Sequence, residues 1–225
     1  MAEIRRVHVM ESLLRNNDSA AQALRDRWTR SKTLAGNLLS SPGSGKTTLL
    51  EATLPRLLER HRVMVLEGDL ETDLDAARIR RVGVDARQIT TGGACHLDAK
   101  MIETAWDEVE PDGPFDFLFI ENVGNLVCPA SYDLGEHRRA LLLSVPEGTD
   151  KPAKYAKAFR TAPVLAITKI DILEHFDFTI EDASRYAREV RPDVEILPVS
   201  SRTGEGLDAW IEWLERARRE AFGAA

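Results

Sequence analysis

The stretch that decides the fold is residues 37–48, which read Asn-Leu-Leu-Ser-Ser-Pro-Gly-Ser-Gly-Lys-Thr-Thr. It begins within an apolar run that predicts a buried strand, and a pattern that predicts a helix follows it. Gly45-Lys46-Thr47 matches the last three positions of the phosphate-binding sequence G-x-x-x-x-G-K-S/T. Ser40 stands at the first position, where the motif has glycine. Gly43 is an additional glycine within the turn. Because backbone N–H groups at a helix start attract phosphate oxygens, this stretch predicts a P-loop rather than an ordinary glycine-rich turn.

Apolar runs and amphipathic segments alternate along the whole chain. The apolar runs predict strands at 34–39, 63–66, 86–89, 115–120, 140–145, 164–168 and 194–199. The amphipathic segments predict helices at 8–30, 47–60, 76–81, 98–109, 151–159, 179–190 and 206–220. This alternation is typical of an α/β fold, with a mostly parallel sheet and helices on both of its faces.

The length of 225 residues fits one such domain, so we expect a single domain over residues 1–225. Residues 1–33 are expected to form a helical segment packed on it. Within that segment, Asn16-Asn17-Asp18 predicts a turn between two short helices.

Composition excludes some classes of partner. The net charge of −7 argues against a nucleic-acid partner, which usually requires a basic face. No apolar run reaches the roughly 18–20 residues of a membrane span, and Met1 to Arg6 lack the apolar start of a signal peptide. We therefore expect a cytoplasmic protein with neither nucleic-acid nor membrane partners, whose cysteines stay reduced.

The predicted phosphate ligands are six consecutive residues: Gly43, Ser44, Gly45, Lys46, Thr47 and Thr48. Lys46 is expected to bridge the outer phosphates of a nucleotide, and the Thr47 hydroxyl is expected to bind Mg²⁺. Ligands of open α/β sheets bind at the carboxyl ends of the strands, so polar residues at those ends are further candidates.

Two segments that follow strands carry carboxylates. One strand ends at Glu121, whose carboxylate can hold Mg²⁺ through water, and Gly124 lets a backbone N–H approach the terminal phosphate. The acidic segment 67–75 is either a solvated surface loop or a first switch, in which Asp69 and Asp75 hold Mg²⁺ or position water. The catalytic candidates are therefore Lys46, Asp75 and Glu121.

Two later segments bear on the choice of base. Residues 168–171, Thr-Lys-Ile-Asp, are similar to the guanine signature N-K-x-D of GTPases, with Thr168 in place of asparagine. In that signature the aspartate, here Asp171, accepts from guanine N1 and N2, and the lysine stem, here Lys169, packs on the ring. Ser201 lies in a segment similar to the loop whose backbone N–H donates to guanine O6. Together these segments predict binding of GTP and GDP.

The chain has two cysteines, Cys95 and Cys128, and each follows a predicted nucleotide-sensing segment. Cys95 is adjacent to His96, and thiolates with imidazole suit nickel and zinc. Three ligands leave a tetrahedral site open, so water or a second subunit related by a two-fold axis must complete it. The alternatives are cysteines that act as small apolar side chains and a His96 that caps a helix or lies at the surface. For His137 we expect a surface role.

These segments resemble those of the HypB GTPases of nickel–iron hydrogenase maturation, within the SIMIBI class of P-loop NTPases. The resemblance runs from Leu34 to about Leu214, and Ser40 in the first P-loop position is similar to what the family shows. The strings that carry it are residues 37–48, Glu67-Gly68-Asp69, Thr91-Gly92-Gly93-Ala94-Cys95-His96-Leu97-Asp98 and Glu121-Asn122-Val123-Gly124-Asn125-Leu126-Val127-Cys128-Pro129.

The resemblance implies a single GTPase domain that uses Mg²⁺, forms a homodimer promoted by GTP and metal, and holds Ni²⁺ or Zn²⁺ at the dimer interface. It also implies delivery of nickel to the hydrogenase large subunit together with a small zinc-containing partner, a HypA-like metallochaperone. Many members carry an N-terminal cysteine motif or histidine-rich stretch that this sequence lacks, so we expect the interface site alone. Thr168 leaves the guanine preference in place but could weaken nucleotide binding.

Three alternatives stay open. The urease accessory GTPases of the same class carry a Cys-Pro-His motif, whereas here Cys128-Pro129 is followed by Ala130. A small-molecule kinase or ATPase would share the P-loop, and Lys169 with Asp171 argues against it. A non-enzymatic metal-binding protein on the same fold would not require the Lys46 of the P-loop.

Overall fold

The computed structural model describes the backbone of residues 2–69 and 73–223, and the side chains from residue 14 onward within those ranges. Its strands are β1 (Leu34–Ser40), β2 (Val63–Asp69), β3 (Asp85–Thr90), β4 (Phe117–Glu121), β5 (Arg138–Ser144), β6 (Val164–Thr168) and β7 (Glu195–Val199). Its helices are α1 (Ala2–Ser31), α2 (Lys46–Leu57), α3 (Leu74–Arg81), α4 (Ala99–Val109), α5 (Lys151–Lys154), α6 (Ala156–Thr161), α7 (Ile180–Val190) and α8 (Leu207–Phe222).

The seven strands form one sheet in the order β3-β2-β4-β1-β5-β6-β7, and every neighbouring pair is parallel. The predicted α/β class is therefore confirmed. Because all strands run the same way, their carboxyl ends meet at one edge of the sheet. The P-loop follows β1, which is at the centre, so the loops after β2, β4 and β6 can surround it.

Helices cover both faces of the sheet, which explains why the strands read as continuous apolar runs. Along β4, Phe117 and Phe119 face the layer formed by α2, α3 and α8, whereas Leu118 and Ile120 face α1 and α4. A third apolar cluster lies under α6 and α7. Successive side chains point to opposite faces of a strand, so both faces must be apolar to build these layers.

The N-terminal helix α1 packs on α4. The Trp28 ring meets the Trp106 ring edge to face, with centroids 5.8 Å apart, and both side chains are buried. Such an aromatic pair contributes about 0.5–1.5 kcal/mol beyond the area it buries. From residue 14 onward, α1 thus supplies part of the core.

The prediction of a turn at Asn16-Asn17-Asp18 is wrong, because α1 is continuous there. The buried Asn17 side chain donates to the Asp133 carbonyl at 2.8 Å and accepts from the Ala99 backbone N–H at 2.9 Å. A polar residue that suggests a turn in the sequence therefore makes tertiary hydrogen bonds from within a helix.

Two further boundaries differ from prediction. The segment 67–75 is not one loop, because β2 continues to Asp69 in register with β3 and α3 begins at Leu74. Residues 70–72, which belong to the same predicted segment, lie outside the described residues. The helix predicted over 151–159 is divided into α5 and α6, because Tyr155 between them has non-helical dihedral angles. Among the described residues, no helix combines the length and apolar character that crossing a bilayer requires.

Candidate functional site

The P-loop lies between the end of β1 and the start of α2, as predicted. Gly43 and Gly45 have φ angles of 73° and 91°, in the left-handed region where glycine is favoured over residues with a Cβ atom. Ser40 needs no such angle, because it is the last residue of β1. Its hydroxyl accepts a hydrogen bond of 3.1 Å from Lys46 Nζ. The serine that replaces the first glycine thus tethers the P-loop lysine.

The P-loop meets β4 through Thr47 and Glu121. Thr47 Oγ1 donates to Glu121 Oε1 at 2.8 Å, and Lys46 Nζ lies 3.9 Å from the same oxygen. Burial raises the pKa of the Glu121 carboxyl, whereas the positive charge of Lys46 acts in the opposite direction. The other oxygen, Glu121 Oε2, is buried without a hydrogen-bond partner.

This donor set fits Mg²⁺. A hydroxyl oxygen and a carboxylate oxygen are the ligands that the ion prefers, and the unpartnered Glu121 Oε2 leaves a lone pair available. Asp69 ends β2, and Asp75 lies in the first turn of α3, so both belong to the edge of the sheet that carries Glu121. Asp75 Oδ1 accepts from Arg78 Nη1 at 3.1 Å.

The segment after β4 lies against the P-loop. A Cβ atom on Gly124 would lie 2.9 Å from the Cα atom of Pro42, closer than real contacts allow. A glycine is therefore required for this approach. The backbone of Gly124 reaches the P-loop, which is the position predicted for contact with the terminal phosphate.

A cleft of about 260 Å³ adjoins the P-loop at the carboxyl end of β6. Its lining includes Gly45, Thr48, Lys169, Asp171 and Ser201. The structure therefore brings together the residues predicted to bind the base and two predicted phosphate ligands. The side chains of Lys169 and Asp171 thus line the same cleft.

The loop after β6, which is predicted to bind the base, is tied to the P-loop by two hydrogen bonds to backbone carbonyls. Thr168 Oγ1 donates to the Ser44 carbonyl at 2.7 Å, and Lys169 Nζ donates to the Gly43 carbonyl at 2.7 Å. Ser200 Oγ donates to Asp171 Oδ1 at 2.6 Å, which holds that carboxylate in the cleft. Thr168, which departs from the asparagine of the signature, thus makes a buried structural bond.

The three soft ligands predicted from the sequence come together. Cys95 Sγ, Cys128 Sγ and a ring nitrogen of His96 lie within 4.8 Å of one another, and both cysteines are free thiols. Cys95 Sγ is 3.8 Å from His96 Nδ1, close to the separation of two ligands on one zinc or nickel ion. The cysteines are not fully buried, so the alternative of buried apolar cysteines is wrong.

The surroundings of these ligands affect their protonation and orientation. A hydrogen bond with Cys128 raises the pKa of the Cys95 thiol, and burial lowers the pKa of the His96 imidazole. The His96 ring stacks on the Tyr132 ring, with centroids 4.0 Å apart and planes inclined by 25°. The lowered pKa favours the neutral imidazole, which is the form that binds a metal, and Tyr132 restricts the position of the ring.

Known proteins of similar sequence have the same type of nucleotide-binding domain. Residues 35–198 match the family described as CobW/HypB/UreG, nucleotide-binding domain. The chain is 49% identical over 220 residues to the hydrogenase maturation factor HypB of Azotobacter chroococcum mcd 1, and the match covers 97% of this chain and 71% of that protein. The chain belongs to the HypB family. The resemblance found in the sequence is thereby confirmed.

Solved structures of HypB proteins have the same fold. The crystal structure of HypB from Helicobacter pylori in complex with nickel has a TM-score of 0.87 and 42% identity, and it covers 93% of this chain and 98% of that one. The structure of HypB from Archaeoglobus fulgidus has a TM-score of 0.84 and 36% identity, with 91% and 100% covered. The HypB fold therefore accounts for nearly the whole of the chain.

One buried carboxylate of this HypB-family site was missed in the sequence. Glu67 on β2 is directly opposite Glu121 in the register of β2 and β4, and only 2% of it is exposed. Burial and the neighbouring Glu121 carboxylate raise the pKa of Glu67. In the sequence, Glu67 is one of five acidic residues in the segment 67–75, and such a segment suggests a solvated loop. The continuing apolar run up to Leu66 was the signal that Glu67 still belongs to the strand.

Glu147, which follows β5, is a second residue that was missed in the sequence, and it supports the P-loop. Ser44 Oγ donates to Glu147 Oε1 at 2.7 Å, and the Ser144 backbone N–H donates to the same oxygen at 2.9 Å. Ser144 and Glu147 form a capping box, which the spacing S-x-x-E in the sequence could have revealed. The loop after β5 is thus connected to the nucleotide site.

The prediction of a surface role for His137 is wrong. Its Nδ1 accepts from the Ala35 backbone N–H at 3.1 Å, and its Nε2 lies 3.0 Å from Thr29 Oγ1. The Thr29 hydroxyl hydrogen is directed to the Arg25 carbonyl, so His137 is the donor in the second bond. Burial lowers the pKa of His137 to about 4. This histidine is a neutral structural link between α1, β1 and β5.

A larger cleft, of about 730 Å³, lies at the amino ends of β5, β6 and β7. Its arginines pair with acids of the same cleft: Arg25 with Asp133, Arg138 with Glu220, Arg139 with Glu136, Arg191 with Asp193 and Arg216 with Glu195. The cleft is at the edge of the sheet opposite the P-loop, and its arginines are already paired with acids. We therefore assign no part of nucleotide binding to it.

Proposed function

We propose that this chain is a GTP-hydrolysing metallochaperone that helps to insert nickel into nickel–iron hydrogenase, and that GTP-dependent dimerisation is coupled to metal binding. The observation that carries the proposal is the position of Cys95, His96 and Cys128. These ligands follow β3 and β4, at the edge of the sheet where the P-loop lies. The nickel complex of the Helicobacter pylori relative supports the choice of cargo.

The hydrolytic part of the proposal rests on the P-loop and the carboxylates facing it. Lys46 would bridge the outer phosphates, and Thr47 with Glu121 would hold Mg²⁺. When bound, Mg²⁺ supplies positive charge that neutralises the phosphate oxygens. Asp75 and Asp69 complete the polar edge and orient the attacking water. Because phosphoryl transfer needs positioning and charge rather than a covalent nucleophile, these residues suffice for slow GTP hydrolysis.

The choice of guanine rests on the cleft beside the P-loop. Asp171 accepts from the guanine N1 and N2 groups, Lys169 packs on the ring, and the backbone of Ser201 donates to O6. Adenine would present an acceptor at N1 and no amino group at C2, so the Asp171 carboxylate would be unpaired. Competition between GTP and ATP for the protein therefore separates this proposal from that of a small-molecule kinase.

Three ligands on one copy leave the coordination of nickel incomplete. Cys95 is an exposed residue, so a second copy can bring its own thiolates to the same ion. Zn²⁺ suits the same donors, and the two ions are alternatives for the site. The further partners in this proposal are a HypA-like metallochaperone and the hydrogenase large subunit, in the reducing cytoplasm that keeps both thiols free.

The proposal is tested by the mass of the protein in solution, measured by light scattering with GDP or a non-hydrolysable GTP analogue, each with and without Ni²⁺. We expect a monomer with GDP alone and a dimer with the GTP analogue and Ni²⁺ together. Lys46→Ala should stay monomeric with the analogue, whereas the exposed Lys100→Ala should behave as the wild type. A mass that is the same in all four conditions would refute the coupling.

A further inference from the structure

Asn122 follows β4, and its side chain is buried. Its amide oxygen accepts two backbone N–H groups, one from Val123 at 3.0 Å and one from Leu97 at 3.4 Å. Val123 precedes Gly124, which lies against the P-loop, whereas Leu97 follows the metal ligand His96. One buried atom thus joins the segment that approaches the terminal phosphate to the loop that carries a metal ligand.

The orientation of this amide is determined by its neighbours. Its NH₂ group donates to Asn37 Oδ1 at 3.4 Å, and Asn37 Nδ2 donates in turn to Glu136 Oε1 at 3.1 Å. The Asn122 backbone N–H donates to the Leu38 carbonyl at 3.1 Å, which anchors the residue to β1. If the amide were reversed, its NH₂ group would face two N–H donors, so the oxygen must face them.

Leu97 is held from a second side by β2. Its side chain is fully buried, and a Cβ atom on Gly68 would lie 2.6 Å from Leu97 Cδ1. Gly68 lies between the two carboxylates Glu67 and Asp69 of the nucleotide site. Leu97 therefore contacts both nucleotide-facing strands, β4 through its backbone N–H and β2 through its side chain.

No flexible spacer separates Leu97 from the metal ligand. His96 directly precedes it, and Asp98, which directly follows, caps α4 by accepting from the Met101 backbone N–H at 2.8 Å. A shift of Leu97 relative to α4 must therefore change the backbone of His96. The close packing around Leu97 leaves no room for side-chain motion to absorb such a shift.

We infer that Asn122 is a positioning residue that couples the nucleotide state to the geometry of the metal ligands through Leu97. This inference rests on the proposed function. A third phosphate that binds the Gly124 N–H displaces Val123. The N–H groups of Val123 and Leu97 share one acceptor, Asn122 Oδ1. The Asn122 amide moves with Val123, and Leu97 with His96 follows. Metal affinity therefore depends on the nucleotide only while this amide is present.

The test is the dissociation constant of Ni²⁺, measured by titration with saturating GDP and with a saturating GTP analogue. For the wild type we expect the two constants to differ by about fivefold or more, the usual range of coupling between two sites. For Asn122→Ala we expect nickel binding in both states, with constants that agree within about twofold. Leu97→Ala, which removes the contact with Gly68, should likewise lower the ratio of the two dissociation constants.

The matched control is Asn17→Ala. Asn17 is also a buried asparagine, and it accepts from the Ala99 N–H, two residues beyond Leu97. Within the described part of the chain, no hydrogen bond joins its side chain to the nucleotide-facing segments. The Asn17→Ala variant should keep the wild-type ratio of the Ni²⁺ dissociation constants with GDP and with the GTP analogue. A ratio preserved in Asn122→Ala, or lost equally in Asn17→Ala, would overturn the role of Asn122, as would complete loss of nickel binding.

If the proposed function is wrong, the same titrations give a different result. If the wild type itself binds nickel equally in both nucleotide states, the coupling is absent, and the inference fails together with it. If Asn122→Ala does not fold, as judged by circular dichroism and thermal unfolding, Leu97→Ala decides the question. A wild-type ratio in Leu97→Ala would then refute the proposed route.

Discussion

Thr47 at the start of α2 and Glu121 at the end of β4 share a buried hydrogen bond of 2.8 Å. This bond ties the P-loop to the sheet. It also places a hydroxyl and a carboxylate, two ligands suited to Mg²⁺, side by side. Glu67 lies opposite Glu121 in the register of β2 and β4, so two carboxylates face one ammonium group, that of Lys46.

We predict that Glu121→Gln lowers the rate of GTP hydrolysis by roughly 10²–10³-fold, because an amide does not replace a carboxylate as a ligand for Mg²⁺. The affinity of the GDP complex for Mg²⁺ should fall in parallel. Turnover assays and Mg²⁺ titrations measure these effects. The partly exposed Glu103→Gln on α4 is the control, and an unchanged Mg²⁺ affinity in Glu121→Gln would contradict the assignment.

We predict that Glu67→Gln stabilises the protein without Mg²⁺ at pH 8, by about 1–3 kcal/mol. The raised pKa of Glu67 means that the folded state binds its proton more tightly than the unfolded chain does. The contribution of Glu67 to stability is therefore complete below the ordinary carboxyl pKa and declines as the pH rises. Urea unfolding at pH 5 and pH 8 measures the difference, and a variant less stable than the wild type at pH 8 would disprove the idea.

We predict that Thr168→Val destabilises the fold by about 1–3 kcal/mol, because it leaves the buried Ser44 carbonyl without its donor. The affinity for GDP should fall roughly tenfold as the P-loop loosens, which corresponds to about 1.4 kcal/mol. Thr168→Ser keeps the hydroxyl and is the matched control. Equal affinities for Thr168→Val and Thr168→Ser would show that the hydroxyl has no such role.

We predict that the free energy of unfolding of His137→Gln falls less than that of the wild type as the pH is lowered. The pKa of His137 is lowered to about 4 in the fold, so the unfolded chain binds more protons from pH 6.5 down to that value. The wild type therefore loses stability as the pH falls through this window, by about 1–2 kcal/mol after allowance for partial exposure. Urea unfolding from pH 7 to pH 4 is the measurement. The exposed His175→Gln should follow the wild type.

We predict that Cys128→Ser weakens Ni²⁺ binding by at least about 100-fold, more than the loss of an outer-shell partner usually costs. A hydroxyl is a harder and less readily ionised ligand than a thiol. Affinity of the wild type should rise with pH, because the thiols must lose their protons to bind the metal. Competition with a chelator measures both effects, and similar affinities for the wild type and Cys128→Ser would exclude Cys128 as a ligand.

Much of the site could be predicted because its residues lie at the ends of strands in a parallel sheet. Gly43 to Thr48, Glu121, Asp171 and the Cys95–Cys128 pair fall there, and the order of apolar runs is enough to place them. Asn17 and His137 could not be predicted, because each bonds with residues more than eighty positions away. Their polarity suggests a turn or a surface, and only their distant partners explain their burial.

The sequence by itself determined the α/β class and the P-loop, and it located the candidate base-binding segment and the three candidate metal ligands, because local spacing and side-chain chemistry carry these features. Only the tertiary structure decided that Glu67 faces Glu121, that Glu147 supports Ser44 and that Asn122 reaches Leu97. The physical reason is that the register of parallel strands and the meeting of their loops depend on how helices pack on both faces of the sheet. Contacts between residues far apart in the chain have no local signal.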